Sequence, residues 1–329
     1  MKKSLAVLGV LAAATLALAG CTDSAAPAST PGSTPQASAS GELTTVRVAA
    51  LPIAESGALW AAIDEGIFAE HGLKIEVVPA QGGANAIPAL LSGDIQFAIG
   101  QPFGPIRADL QDLGVAIIGN YANSIATGAD VNAVVVPAGS PITRPADLAG
   151  KKVSVNTIGA AGDLTIRKAV KDDGGDPSTI QFVEVAFPDV PAQLEAGTMD
   201  AAWAPDPFRA LVVTGGGASI LQPYQATIPG LTVLTNITSQ KLIDEKPDLV
   251  ASYSAAMSEA LEWASAHEDA VRAAIVTNLK IPAAAAAGIT LPTFTWDLSK
   301  AGITSLGALA VEFGYIAKEP DFSRLIQQQ

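Results

Sequence analysis

Short apolar runs alternate with amphipathic segments from residue 46 onward. Apolar runs that alternate with helical spacing are typical of a mostly parallel sheet covered on both faces, and the pattern therefore predicts an α/β fold. Strands are predicted at 46–51, 73–79, 95–100 and 115–121, and helices at 58–70, 85–92 and 105–113.

The same order of elements returns in the second half of the chain. Residues 90–98 and 194–202 share one pattern, in which a helix end, a glycine and a strand start follow one another. Gly57 and Gly162 precede corresponding helices, at an offset of about 105 residues. We predict two similar lobes, each a doubly wound, mostly parallel sheet, whose facing loops form a cleft. The second set comprises strands at 152–156, 180–185 and 201–203 and helices at 163–172 and 190–196.

Two β-branched runs, 132–137 and 230–236, separate the lobes and are predicted to be crossovers that form a two-strand hinge. The remaining tail has helical spacing, and we expect it to pack back on the first lobe. Its helices are predicted at 247–266, 268–279, 283–288 and 299–314. The predicted lobes are therefore 44–131 plus 236–329 for lobe 1, and 132–235 for lobe 2.

The first 20 residues have the order of a signal peptide: Lys2 and Lys3, then an apolar run at 5–18, then small residues before Cys21. Cys21 is the only cysteine, and its position is typical of lipidation. The Ser/Thr/Ala/Pro-rich segment 21–43 predicts a disordered tether. We expect an extracytoplasmic protein that is lipid-anchored to the cell membrane. The alternatives are a cleaved secretory signal with an incidental cysteine, or an uncleaved anchor, for which the run is short.

Composition narrows the classes of partner. The formal charge is −13, and removal of Lys2 and Lys3 with the signal peptide takes it to −15. This charge opposes nonspecific binding to nucleic acid or to an anionic lipid surface. A single cysteine allows no intrachain disulfide. Because the sequence has no His/Cys cluster, we expect no metal site, and we predict no cofactor.

Four blocks of the sequence carry a resemblance to a known family. They are GIFAEHGL at 66–73, LSGDIQFA at 91–98, SPITRPADLAGKKV at 140–153, and LEAGTMDAAW at 194–203 with PDPF at 205–208. The chain resembles the solute-binding proteins of ABC importers for nitrate, sulfonates, taurine and thiamine-precursor-like solutes. The resemblance implies a type II periplasmic-binding-protein fold, hinge closure on the ligand, and delivery to a permease and ATPase complex by a monomer.

Two loops of small residues precede corresponding helices and are candidate ligand sites. The first contains Ser56 and Gly57, and the second spans 157–163. Free N–H groups and the helix dipole favour an anionic group at such a place. The alternative is a pair of ordinary turns with Ser56 and Asp163 as a cap and a first-turn acid. The candidates in the second loop are Thr157, Ala160, Gly162 and Asp163.

Further candidates follow the other strands of each predicted lobe. Gln81 and Gly82 follow the second strand, and Gln101 follows the third, where its amide offers both a donor and an acceptor to a neutral polar or zwitterionic solute. In lobe 2, Phe187 and Trp203 are candidates to clamp an apolar part of the ligand, with core packing as the alternative. Asp206 is expected to pair with a ligand amine or to cap the helix that starts near residue 207.

These observations favour capture of a small organic solute, such as a sulfonate, a taurine-like compound or a heterocycle. A nitrate or bicarbonate receptor is a weaker alternative because basic residues are scarce near the predicted cleft. A sensor on the same fold is a second alternative. We predict no catalytic residues, because His71 and His267 lie away from the cleft loops. An enzyme related to the pyrimidine-synthesising proteins is the remaining alternative, and those are expected to carry a cysteine-rich motif.

Overall fold

The computed structural model describes residues 42–328. The predicted signal peptide, Cys21 and nearly all of the predicted tether lie outside the described residues. The strands are β1 (Thr44–Ala50), β2 (Leu73–Pro79), β3 (Phe97–Gly100), β4 (Val115–Asn123), β5 (Asn132–Val136), β6 (Lys152–Val155), β7 (Gln181–Glu184), β8 (Ala201–Pro205), β9 (Ala218–Leu221), β10 (Thr232–Ser239) and β11 (Thr293–Phe294).

Helices cover both sheets and make up most of the C-terminal tail. Those before β10 are α1 (Gly57–Glu65), α2 (Ile67–Glu70), α3 (Gly83–Ser92), α4 (Phe103–Asp109), α5 (Ala161–Asp172), α6 (Val190–Glu195), α7 (Phe208–Thr214) and α8 (Pro223–Thr227). Those after it are α9 (Gln240–Glu245), α10 (Pro247–Ala266), α11 (Glu268–Leu279), α12 (Ala283–Ala287), α13 (Lys300–Glu312) and α14 (Phe322–Leu325). In the described residues, no helix combines the length and the apolar character that a membrane span needs.

Two mixed sheets form the framework, and we call each sheet with its helices a lobe. Lobe 1 has the strand order β11-β4-β10-β3-β1-β2, and lobe 2 has the order β7-β6-β8-β5-β9. In lobe 1 the strand β1 pairs in parallel with β2 and β3, and in lobe 2 the strand β6 pairs in parallel with β7 and β8. The same local order therefore occurs in both lobes, and this confirms the predicted repeat and the α/β class.

Each sheet also has an internal antiparallel strand from beyond a crossover, and the lobe 1 sheet has a second antiparallel strand, β11, at its edge. The predicted hinge runs are internal strands: β5 lies between β8 and β9, and β10 lies between β3 and β4. The connections between the lobes are the segments 124–131 and 222–231, which lie side by side where the Ser124 N–H donates to the Leu231 carbonyl oxygen at 2.8 Å. The predicted lobe boundary after residue 235 falls inside β10.

The tail covers lobe 1 through one face of its longest helix. In α10 the residues Val250, Tyr253, Met257 and Leu261 recur at helical spacing, and all four are fully buried. The ring of Tyr253 stacks on Phe97 of β3 with a centroid distance of 3.6 Å. Its hydroxyl donates to Asn236 Oδ1 of β10 at 2.9 Å. The sheet and the tail therefore share one core, although they are far apart in sequence.

One predicted helix is divided in two. The segment 58–70 is interrupted at Gly66, which has φ 89° and closes α1 as its C-cap. This left-handed conformation is accessible to glycine at little cost and ends a helix by turning the chain away from its axis. The prediction of one continuous helix was wrong because apolar spacing continues across the glycine.

The start of α3 lies directly against the end of β3. A Cβ atom added to Gly100 would lie 2.3 Å from Gly83 Cα, which is closer than any non-bonded contact allows. Because both residues are glycines, the backbones of α3 and β3 can come into contact at the carboxyl end of the lobe 1 sheet. This edge of the sheet borders the cleft between the lobes.

We expect Gly100→Ala to lower the free energy of unfolding by about 2 kcal/mol, because the added methyl group pushes α3 away from β3. Gly288→Ala serves as the control, since its nearest neighbour would lie 3.8 Å from the new Cβ, and we expect a change within about 0.5 kcal/mol. Urea denaturation of both variants measures the difference. Equal stability of the two variants would contradict the proposed backbone contact.

Candidate functional site

The lobes meet where the loops after their parallel strands face each other. Asn156, after β6 of lobe 2, donates from Nδ2 to the Gln81 carbonyl oxygen of lobe 1 at 2.8 Å. Gln101, after β3, accepts from the Ala161 N–H at 3.3 Å and donates to the Tyr224 hydroxyl at 3.0 Å. The loops expected to form the cleft are therefore in direct contact, and the lobes are closed.

Two spaces lie beside these contacts. An inner cavity of about 20 Å³ is lined by Gly82, Gln101, Asn156, Thr157 and Ala160, among others. This volume holds about one water molecule, so an organic solute requires the lobes or their side chains to move. An outer, largely apolar groove of about 250 Å³ is lined from lobe 1 by Leu51, Pro52, Pro79, Ala80 and Gln81, and from lobe 2 by Ala186, Phe187 and Pro188.

The N-terminus of α5 is already occupied by side chains of the protein. Asp163 accepts from the N–H groups of Gly159 and Ala160, both at 2.9 Å, and from the Tyr315 hydroxyl at 2.7 Å. Burial raises the pKa of Asp163, and these hydrogen bonds act in the opposite direction. Since Gln101 also accepts from the Ala161 N–H, three of the N–H groups at this helix start, those of Gly159, Ala160 and Ala161, have partners within the protein.

The loop before α1 is likewise organised by internal contacts. Ser56 is buried and donates from Oγ to the Leu51 carbonyl oxygen at 2.7 Å, so it does not cap the helix. The Leu59 N–H donates to the Tyr121 hydroxyl at 3.1 Å. Gly57 faces α11, where an added Cβ would lie 2.7 Å from Ile275 Cγ1. Helix packing therefore explains the glycine, and a ligand contact at Ser56 or Gly57 stays a prediction.

The two aromatic candidates belong to one cluster in lobe 2. Trp203 is 3% exposed and donates from Nε1 to Asn132 Oδ1 at 2.8 Å. Its ring packs edge-on against Phe187 and Tyr224, with centroid distances of 5.3 and 5.5 Å. A Cβ at Gly162 would lie 2.8 Å from the same ring, so Gly162 makes room for the indole. Of the two candidates, Phe187 also lines the outer groove.

Asp206 makes the helix cap that was one of its two predicted roles. Its Oδ1 accepts from the Ala210 N–H at 3.2 Å, and both carboxylate oxygens accept from Arg209, at 3.0 and 2.6 Å. The residue is fully buried. Arg107 of α4 donates to the Gly159 carbonyl oxygen at 3.5 Å.

Sequence reasoning missed the most unusual group at the boundary, the carboxyl of Glu55. The side chain is 4% exposed, and its Oε2 has no hydrogen-bond partner within residues 42–328. Burial raises the pKa of Glu55 to about 8; Asp206 and Asp130 act in the same direction, and its own backbone N–H and Arg209 oppose them. The sequence held one signal of this group, because Glu55 is an acidic residue between two apolar segments, 51–54 and 57–63.

The histidines and acids elsewhere form no further centre. His71 Nε2 lies 2.8 Å from Glu259 Oε2, and His267 stacks on Trp263. Among the residues that the structure describes, no three His, Cys, Asp or Glu side chains are grouped to hold a metal ion.

The predicted ligand-binding residues that line a space between the lobes fall into two groups. Gly82, Gln101, Thr157 and Ala160 line the inner cavity, and Gln81 and Phe187 line the groove.

Comparison with known proteins identifies the family of the chain. The sequence model of the family described as "NMT1/THI5 like" matches residues 54–271. A formylaminopyrimidine-binding protein from Halalkalibacterium halodurans is 26% identical over 223 residues. The alignment covers 67% of this chain and 66% of that relative, slightly less than two thirds of its length.

Solved structures share the architecture. The alkanesulfonate-binding protein SsuA from Xanthomonas axonopodis pv. citri, bound to MOPS, has a TM-score of 0.72 and 17% identity, over 88% of this chain and 100% of that one. The desulfurization enzyme DSZB has a TM-score of 0.65 and 16% identity, over 87% and 96%. At these identities the likeness shows the fold alone, which is that of the periplasmic binding proteins.

The raised pKa of Glu55 predicts a pH-dependent stability. A carboxyl whose pKa is higher in the folded state contributes stability that is fully present below its unfolded value of 4.5 and is lost as pH rises through about 8. From pH 6 to 9 we expect the ligand-free protein to lose on the order of 1–3 kcal/mol of unfolding free energy relative to Glu55→Gln. Urea denaturation of both proteins at both pH values measures this difference. The same change in unfolding free energy from pH 6 to 9 in the two proteins would contradict the prediction.

Proposed function

Because the chain belongs to the NMT1/THI5-like family, we propose that it captures a small organic solute between its lobes and delivers it to an ABC importer. The observation that carries this proposal is the set of hydrogen bonds across the cleft, Asn156 to Gln81 and Ala161 to Gln101. Polar groups of both lobes meet at strand ends, which is where ligands bind in open α/β sheets.

Capture depends on the difference in affinity between the open and closed forms. A solute that contacts both lobes binds the closed form more tightly and shifts the equilibrium toward closure. The contacts that now join Asn156 and Gln101 to the opposite lobe are the groups that a bound solute would share or replace. The permease would then recognise the closed, loaded form.

We propose binding without chemistry at this site. The curated relative is a binding protein, whereas DSZB shows that an enzyme can be built on the same fold. His71 is held by Glu259 and His267 by the Trp263 carbonyl oxygen, so neither histidine is placed as a base beside the cleft. A small inorganic anion is less favoured as the solute, since Asp163 and Gln101 already accept from the amides at α5.

A solute screen tests the function directly. We expect the purified protein to be stabilised by about 2.7 kcal/mol at 100 times the Kd of its solute, which a thermal melt detects readily. The panel contains alkanesulfonates, taurine, nitrate and substituted pyrimidines. If no small solute raises the melting temperature at millimolar concentration, the proposal fails.

A matched pair of variants locates the binding site. Asn156→Ala removes a cleft amide. We expect it to raise the Kd of the tightest-binding solute about tenfold, because one hydrogen bond to a buried group is lost. Asn278→Ala removes an amide on α11 that donates to the Ala274 carbonyl oxygen of the same helix, and we expect no change in Kd. Calorimetric titration measures both, and an equal effect of the two variants would contradict a cleft site.

We also propose that Cys21 carries the lipid anchor and that the segment 21–43 is the tether. A tether of this length spans at most about 3.3–3.6 Å per residue, which keeps the body close to one importer. We expect Cys21→Ser to move the protein from the membrane fraction to the soluble fraction, and mass spectrometry of the native protein to find acylated Cys21 at its N-terminus. An intact leader or an unmodified thiol would contradict this proposal.

A further inference from the structure

We propose that the solute carries a protonated nitrogen and that the carboxylate of Glu55 is the residue that selects it. This inference rests on the proposed function, because it names the class of solute that the cleft takes.

The position of Glu55 is fixed by contacts of its own backbone and of its neighbour. The Ala54 N–H donates to the Asp206 carbonyl oxygen at 3.0 Å, which holds the loop between β1 and α1 against lobe 2. The Tyr121 hydroxyl donates to the Glu55 carbonyl oxygen at 3.0 Å. The side chain is thereby held at the boundary of the lobes, close to Asp206, Asp130 and Arg209.

These neighbours leave the carboxyl without a counter-charge. Arg209 is committed to Asp206 by two hydrogen bonds. Asp130 uses Oδ1 to accept from the Ile125 and Val131 N–H groups, and its Oδ2 has no partner in the described part of the chain. The group therefore contains three buried carboxyls and one guanidinium. A buried carboxylate without a partner is costly, and a cation bound between the lobes would supply the missing charge.

A separate observation at the inner cavity also indicates that the solute carries a hydrogen-bond donor. Asn156 is 8% exposed, and its Nδ2 is fixed on the Gln81 carbonyl oxygen, which leaves Oδ1 without a partner within residues 42–328. Asn156 Oδ1 is a hydrogen-bond acceptor, and Glu55 Oε2 is one when its carboxyl is ionised. A sulfonate or nitrate group offers only acceptors, so it cannot satisfy Asn156 Oδ1 or the ionised carboxylate of Glu55. An ammonium, amidinium or protonated amino-heterocycle offers the N–H donors that both lack.

Proton linkage gives the proposal a distinctive pH dependence. Burial holds the pKa of Glu55 near 8, so below this pH the empty site contains a proton that a cationic solute must displace. The charged and titratable groups around it are Asp130, Asp206, Arg209, Tyr121 and Tyr224. For a solute that stays cationic over this range, affinity should therefore rise with pH, by up to about tenfold per pH unit below pH 8.

The test compares solutes that differ only in charge. Pairs with an ammonium or a hydroxyl at the same carbon, such as 5-aminomethyl- and 5-hydroxymethyl-2-methylpyrimidin-4-amine or ethanolamine and ethylene glycol, are titrated calorimetrically into the full mature chain, together with alkanesulfonates. We expect the tightest member to be a cation that binds at least tenfold more tightly than its hydroxyl partner. Glu55→Gln should remove this preference and the pH dependence of Kd.

Controls separate recognition from structural damage. Glu259→Gln changes an acid that pairs with His71 on the surface, and it should leave Kd unchanged. The stability of Glu55→Gln at pH 9 should equal or exceed that of the unmodified protein, since the variant removes a buried charge. A tightest solute that is neutral or anionic, or a cation preference that survives in Glu55→Gln, would overturn the inference while leaving solute capture intact. If no solute binds at all, the proposed function fails and the inference fails with it.

Discussion

Closure of the two lobes buries polar groups that must find hydrogen-bond partners, and the organisation of the site follows from this requirement. Most of these groups are satisfied across or along the boundary, as Gln101 is by Ala161 and Tyr224. Among the exceptions in residues 42–328 are Oε2 of Glu55, Oδ2 of Asp130 and Oδ1 of Asn156. An unpaired buried acceptor costs free energy, so these atoms destabilise the empty closed form. The same atoms can form hydrogen bonds with a bound ligand and thereby stabilise the loaded form.

The same requirement explains why the helix N-termini do not present free donors. A capping carboxylate at Asp163 takes two amides of the α5 turn, and Tyr315 from the C-terminal tail donates to that carboxylate. The tail therefore does more than cover lobe 1, since it also contacts lobe 2 through this bond. A helix N-terminus with free N–H groups would favour an anion. In the folded chain, the Asp163 carboxylate takes that place at the start of α5.

The regular elements of the fold were largely predictable because they depend on local pattern. The helices at 247–266 and 268–279 and the strand at 73–79 have the predicted bounds, and the glycine-marked repeat corresponds to matching strand orders in the two sheets. Apolar spacing and glycine caps are properties of neighbouring residues, so they can be read along the chain. The strand pairs made through the crossovers are not local, and the insertion of β5 and β10 as antiparallel strands emerged only from the tertiary structure.

For the site, the order of residues predicted which loops meet, because loops after parallel strands share one edge of a sheet. It thereby identified Gln101 and Thr157 as residues at the boundary. What each side chain faces depends on the folded structure. Gly57 lies against α11, and Glu55 Oε2 lies near Asp130 and Asp206 with no hydrogen-bond partner within residues 42–328. Burial and hydrogen bonding depend on segments far apart in sequence, and for that reason the charge balance of the cleft could not be obtained from the order of residues.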